Sequence, residues 1–157
     1  MTPAIVLAKR QKLSHQIHEY THDAAAPSYG LEAAEKLGVA AACVFKTLVV
    51  ETDKQTLAVA ILPVNTTLNL KKMAKALGVK KLHMADPKQV ERVTGYVLGG
   101  VSPLGQKKRL PTVIDSSAAG QERIYVSAGK RGLEIELSAT DLARVLDAPF
   151  ADITDTD

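Results

Sequence analysis

The sequence predicts a single α+β domain with a mixed, largely antiparallel sheet flanked by helices. Three observations carry that reading. At 157 residues the chain is long enough for one domain and short for two. Apolar strand-like runs follow one another across short turns in at least two places, which requires antiparallel pairing. Helical and strand segments do not alternate strictly, which argues against a doubly wound parallel sheet.

The elements follow from local chemistry in chain order. Thr2 and Pro3 are an N-cap and a proline at the first helical position, opening a helix to about Lys12. Residues 15–22 read as a strand, and residues 31–37 as a short helix stopped by Gly38. The β-branched, apolar runs Val44 to Glu51 and Thr56 to Pro63 flank a turn at Asp53-Lys54 and form a hairpin. Asn69 caps a helix over 70–77 that Gly78 closes, and Asp86-Pro87 opens another that ends near Gly95. Strands follow at 111–115, 122–127 and 133–138, the last two joined by Gly129-Lys130-Arg131-Gly132. Ser138 with Asp141 resembles a capping box for a final helix over 139–146.

Composition narrows the function classes. With 46% hydrophobic and 24% charged residues the chain matches a globular protein, not a disordered one. The longest apolar run, Val39 to Phe45, is far below the ~18 residues of a membrane span. The start lacks the pattern of a secretory signal, and the single Cys43 excludes an internal disulfide, so a reducing, cytoplasmic setting is expected. The net charge of +3 is unevenly spread. Residues 71–109 hold ten of the twenty Lys and Arg against two acids, a net +8, and the remainder is −5. That asymmetry suits one face prepared for a polyanion, or else a solvated face crossed by loops. Trp is absent and only four Tyr and two Phe occur, so the sequence favours contact with backbone phosphates over base stacking.

Several residues invite chemistry. His15, His18 and His22 cluster, but on a strand His18 and His22 share a face that His15 does not, so they read as partly exposed strand histidines and no metal site is expected. Cys43, among apolar neighbours, reads as a buried and inert thiol. Ser102 lies in Gly99-Gly100-Val101-Ser102-Pro103-Leu104-Gly105, where Pro103 removes the N–H that a nucleophile elbow would need. The run from Gly95 to Arg109 places four glycines ahead of Lys107, Lys108 and Arg109, which suits a loop that holds an anionic or carbonyl-bearing group, or an ordinary glycine-rich turn. Lys46 opens an apolar strand, either reaching for solvent or pointing into a cleft as a fixed charge.

Taken in order, Tyr20, Phe45-Lys46-Thr47-Leu48, Met84-Ala85-Asp86, the run Thr94 to Arg109 and Ile124-Tyr125-Val126-Ser127 resemble the YbaK-type Cys-tRNA(Pro) deacylases. These are relatives of the editing insertion of bacterial prolyl-tRNA synthetase. The resemblance extends from Met1 to Phe150, so residues 1–150 are expected to form the editing domain and residues 151–157 an acidic tail. It implies an α+β hydrolase without metal or organic cofactor that removes cysteine from mischarged tRNA(Pro) and can associate with prolyl-tRNA synthetase. Binding alone separates side chains that differ by one small group by only ~1–3 kcal/mol, which is why a second, hydrolytic site is needed.

Residue by residue, the resemblance gives Lys46 and Gly99 the catalytic positions, with Tyr20, Tyr29, Thr47, Gly100, Ser102, Ser127 and Glu134 as substrate-binding. Lys107, Lys108, Arg109, Lys130 and Arg131 are expected on tRNA phosphates. It also implies that the substrate's own thiol attacks its carbonyl while Lys46 and backbone amides stabilise the charge. Two positions depart from the pattern: Ala128 where glycine is common, and Glu134 where some members carry aspartate. An Ala-tRNA(Pro) deacylase, a non-catalytic tRNA- or synthetase-binding module, and a hydrolase built on Cys43 are the alternatives.

Overall fold

The computed structural model describes residues 1–26 and 28–155. Its helices begin where a side chain can satisfy free amides. In α1 (Pro3–Arg10) Thr2 Oγ1 accepts from the Ile5 amide at 3.3 Å. The helix stops short of Lys12, because Lys12 takes a φ of 55° and the Leu13 amide returns to the Ala8 carbonyl at 2.9 Å. α2 (Tyr29–Leu37) starts before the expected residue 31, since Ser28 Oγ caps the Leu31 amide at 3.3 Å. α3 (Leu70–Leu77) and α4 (Pro87–Thr94) carry the Asn69 and Asp86 caps read from the sequence and end on Gly78 and Gly95, at φ 72° and 84°. In α5 (Ala139–Leu146) Ser138 Oγ accepts from the Asp141 amide at 3.3 Å.

The strands in chain order are β1 (His15–Glu19), β2 (Phe45–Thr52), β3 (Leu57–Pro63), β4 (Leu82–Met84), β5 (Thr112–Asp115), β6 (Ile124–Lys130), β7 (Leu133–Leu137) and β8 (Phe150–Ala151). The α+β class holds, with the strands divided between two sheets. One is antiparallel in the order β1-β7-β6; the other runs β4-β2-β3-β5-β8, with parallel pairing where β5 meets β3 and β8. β1 ends at Glu19 instead of His22: the Tyr20 amide still reaches the Gly132 carbonyl at 2.9 Å, after which the chain turns toward α2. Cys43 is not buried as expected. It sits half-buried in a 3-10 turn, Ala41–Cys43, ahead of β2, with Sγ donating to the Ala40 carbonyl at 3.0 Å.

Period-two alternation places the core. Phe45, Val59 and Ile61 of the larger sheet face Val126, Ile135 and Leu137 of the smaller one, and Ala4, Ile5 and Leu142 from α1 and α5 close that core. On the other face of the larger sheet, Val50, Ala60 and Leu62 pack against Met73 of α3 and Ile153. The acidic C-terminal segment is therefore bound to the fold as far as it is described: β8 joins the sheet, Leu68 bridges Thr154, and the Asp155 amide donates to the Thr67 carbonyl at 3.0 Å. Thr156 and Asp157, the end of the expected tail, lie outside the described residues. Among the described residues no helix is long and apolar enough to cross a membrane.

Asp115 anchors this closure. It is buried at the end of β5, with Oδ1 accepting from the Ile153 amide at 3.1 Å and Oδ2 from the Ser117 amide and hydroxyl at 3.2 and 2.6 Å. Removing the carboxylate leaves the buried Ile153 amide unpaired, at about 1–3 kcal/mol. Asp115→Ala is therefore expected to lower the thermal midpoint by several degrees, and Asp115→Asn, which keeps one acceptor oxygen, by less.

Candidate functional site

A seam between the two sheets opens into a cavity. Val44, just before β2, bridges Tyr125 of β6 in the parallel sense, and its carbonyl accepts from the Val64 amide at 2.8 Å. Beyond that rung the sheets part. β4 covers the outer edge of β2 only from Val50 to Thr52, so Lys46, Thr47 and Leu48 have no strand partner on that side. Those residues, the polar face of β6 and β7, the first turn of α2 and the glycine loop enclose about 340 Å³. The alternation that buries Leu133, Ile135 and Leu137 turns Glu134 the other way, beside its cross-strand neighbour Ser127 and into this space.

The sequence-derived residues converge well here. Tyr20, Tyr29, Lys46, Thr47, Gly99, Ser127 and Glu134 all line the cavity. Lys46 is half-buried with Nζ donating to the Thr66 carbonyl at 2.6 Å, and burial lowers its pKa. It thus points into the cleft and not to open solvent. Glu134 is 7% exposed, and burial alone pushes its carboxyl up to about 8. Burial, and then the neighbouring Glu134 carboxylate, raise the Tyr20 phenol to about 12. Among the described residues Thr47 Oγ1 is buried without a hydrogen-bond partner, which leaves it able to meet a ligand. Ser127 Oγ is already engaged, accepting from the Gly129 amide at 3.1 Å.

The mouth is built by close approach. Gly99 has φ 88°, and a Cβ there would fall 2.5 Å from Arg131 Nε and 2.8 Å from the Tyr29 ring. Only glycine fits. The Arg131 guanidinium carbon lies 3.9 Å from the Tyr29 ring centroid, and Nη2 donates to the Leu98 carbonyl at 3.2 Å. Behind Tyr29, a buried Glu32 carboxylate fixes the loop that carries Tyr20 into α2. Glu32 meets His22 Nδ1 at 2.7 Å, the Asp23 amide at 2.6 Å and Lys36 Nζ at 3.2 Å. Burial alone would raise its pKa, but these partners pull it down to about 2.

Other expected positions fall elsewhere. Ser102 is fully buried outside the cavity, its Oγ accepting from the Leu104 amide at 3.2 Å, so it wires the glycine loop internally. Gly100 lies off the lining, where a Cβ would meet Lys130 Cα at 2.8 Å. The amides of Lys107 and Lys108 hold the Thr94 and Val93 carbonyls, and Arg109 lines a separate cleft of about 240 Å³ with Leu7 and Leu146. Those three cations do not border the cavity; Lys130, at the end of β6, and Arg131, in the turn that follows, sit beside its mouth. The histidines take separate partners: the Leu13 carbonyl for His15, Glu136 for His18 and Glu32 for His22. Among the described residues no group of three or more His, Cys, Asp or Glu could hold a metal ion. Sequence reasoning missed Ser28, Leu98, Val64 and the Glu32 network; only Ser28, as a potential cap, left a local signal.

The profile of the aminoacyl-tRNA editing domain family matches residues 25–145. The chain is 46% identical over 121 residues to an Enterococcus faecalis protein provisionally named a Cys-tRNA(Pro)/Cys-tRNA(Cys) deacylase, covering 77% of this chain and 74% of that one. It is 39% identical over 101 residues to the proline–tRNA ligase of Shouchella clausii, covering 64% of this chain and 18% of the ligase. A crystal structure described as a candidate trans-editing enzyme for prolyl tRNA synthetase superposes with a TM-score of 0.85 at 22% identity, covering 98% of this chain and 96% of that one, and shows the same fold.

Glu134 links the cavity to stability. Burial pushes its carboxyl up to about 8 in the folded protein, whereas an unfolded carboxyl releases its proton near the ordinary 4.5. Between those values the unfolded chain binds fewer protons, so stability falls as pH rises through that window. Glu134→Gln is expected to melt like the parent near pH 4.5 and at higher temperature than the parent at pH 8.

Proposed function

The chain belongs to the aminoacyl-tRNA editing domain family, and from that premise we propose that it hydrolyses the ester joining cysteine to the 3′ end of mischarged tRNA(Pro). The observation that carries this reading is a cavity that collects Lys46, Gly99 and Glu134 but, among the described residues, holds no hydrogen-bonded nucleophile–base pair. Its hydroxyls are those of Tyr20, Ser28, Tyr29, Thr47 and Ser127, and no histidine among the described residues lines it. The nearby His22 is committed to Glu32. Cys43 lies off the lining, and burial raises its thiol pKa, which works against a thiolate nucleophile.

A site without its own nucleophile suits a substrate that brings one. The cysteine thiol attacks its own ester carbonyl, a four-membered thiolactone forms, and the thiol proton passes to the departing 3′-oxygen of the tRNA; water then opens the thiolactone. Lys46 supplies fixed positive charge, and the backbone at Gly99 and along the uncovered edge of β2 supplies amides for the developing oxyanion. Burial favours the protonated form of Glu134; an incoming α-ammonium group would favour its ionised form and orient the amino acid. Residues 1–150 act as the editing domain in this reading. The sequence shared with part of a proline–tRNA ligase supports action alongside prolyl-tRNA synthetase on tRNA that the enzyme has released.

The assay uses purified protein with Cys-tRNA(Pro), Ala-tRNA(Pro) and Ser-tRNA(Pro). Rapid loss of cysteine is expected, with much slower loss of alanine and serine because neither carries a thiol. Lys46→Ala should reduce the cysteine rate by about 100-fold or more, and Cys43→Ala should leave it unchanged. Undiminished hydrolysis of the serine ester overturns thiol assistance, and faster removal of alanine moves the substrate to Ala-tRNA(Pro). Binding without hydrolysis reduces the protein to a tRNA-binding module.

A further inference from the structure

We propose that Arg131, stacked on Tyr29, is the platform on which the terminal base of the RNA 3′ end rests; the assignment builds on the editing reading and places the nucleoside which that reading leaves unplaced. A cavity of about 340 Å³ accommodates the aminoacyl ester, and the nucleoside bearing it must emerge at the mouth. That mouth is bordered by Tyr29, Leu98 and Arg131. Leu98 lines the cavity yet is 59% exposed, and its neighbour Val97 is 54% exposed. Exposed aliphatic side chains at the rim of a cavity mark a surface that a flat apolar partner can cover.

Arg131 gives that surface its plane. The guanidinium carbon lies 3.9 Å from the Tyr29 ring centroid, close enough for the group to lie against the ring. One N–H is held by the Leu98 carbonyl at 3.2 Å, so the group cannot swing freely. The residue is nonetheless exposed, which leaves its outer face to solvent. A guanidinium fixed in this way stacks on a nucleobase as an aromatic ring would. Gly99 makes the arrangement possible, since any side chain there would displace both Arg131 and Tyr29. The sequence, poor in aromatic residues, points to phosphate contacts for all the basic residues of the turn. The geometry gives Arg131 a base instead and leaves Lys130, exposed beside it, for the adjoining phosphodiester. One such platform is enough to hold a single terminal base.

The test compares two short RNAs with the full-length protein: one ending in CCA, and the same strand with an abasic terminal nucleotide that keeps the ribose and every phosphate. Binding is read by calorimetry and by tyrosine emission, which no Trp obscures. Loss of the base is expected to weaken binding to the parent protein about tenfold. Arg131→Lys keeps the charge and loses the plane, and should lower that penalty to less than about twofold; Tyr29→Phe, which keeps the ring, should retain it. A parent protein that binds both RNAs alike, or neither, overturns the platform, as does an equal base penalty in Arg131→Lys. Base-dependent binding without hydrolysis of Cys-tRNA(Pro) would sink the editing reading alone, and hydrolysis indifferent to the terminal base would sink the platform alone.

Discussion

The seam between the sheets depends on the pairing of Val44 with Tyr125, the backbone rung that joins the two sheets among the described residues. Two twisted sheets can share a long edge, in which case they are one sheet, or pack face to face, in which case side chains fill the gap. Here, among the described residues, they share a single backbone bridge and then diverge. Below the rung their apolar faces interlock around Phe45, Ile61, Val126 and Ile135. Beside it, the uncovered start of β2 faces the polar side of β6 and β7 across open space. The Val44 carbonyl is also held by the Val64 amide, so the rung is fixed from both sides, and α2 closes over it through Ala33 and Ala34. The first turn of α2 sits so close to Val64 that a Cβ on Gly30 would fall 2.3 Å from it.

Such a seam can hold polar groups that an ordinary core would reject. Lys46 and Glu134 both border the cavity, yet burial is the sole cause of either shift, so neither charge relieves the other. A half-buried ammonium and a largely buried carboxyl without mutual pairing are unfavourable for folding. The unpartnered hydroxyl of Thr47 adds to that disadvantage. Groups in this condition gather where a ligand completes them. The Glu32 cluster makes the opposite choice, with three donors around one carboxylate, and lies just outside the cavity as its scaffold.

The legible parts of the fold were those with local causes. Asn69 and Gly78, Asp86 and Gly95, and the hairpin runs each act within a few residues, and the structure follows them. β4 and β8, of three and two residues, are too short to show a period and form because longer strands offer them an edge. Division into two sheets was equally hidden, since it turns on how far β6 runs beside β2, a long-range property. At the site, Lys46, Gly99 and the two tyrosines were legible through the family resemblance, whereas Ser102 shared the glycine loop but turned inward. Charge was legible only as a sum. Of the +8 segment, Lys72 is paired with Asp152 at 2.9 Å and Arg109 faces another cleft.

The arrangement also bears on how selectivity is reached without a demanding pocket. Walls such as Val44, Phe45, Leu48 and Val64 enclose a small side chain without distinguishing a thiol from a methyl or a hydroxyl by much, since one such group is worth only ~1–3 kcal/mol of binding. If the cavity supplied its own nucleophile, it would hydrolyse every ester small enough to enter. Leaving the nucleophile to the substrate changes the criterion from size to reactivity. In the proposed reaction an ester whose side chain carries a thiol would react, and one of equal size without a thiol would be bound and released. Lys46, Gly99 and the edge of β2 would then act on the oxyanion only when the substrate can form it, which makes a permissive cavity compatible with a selective reaction.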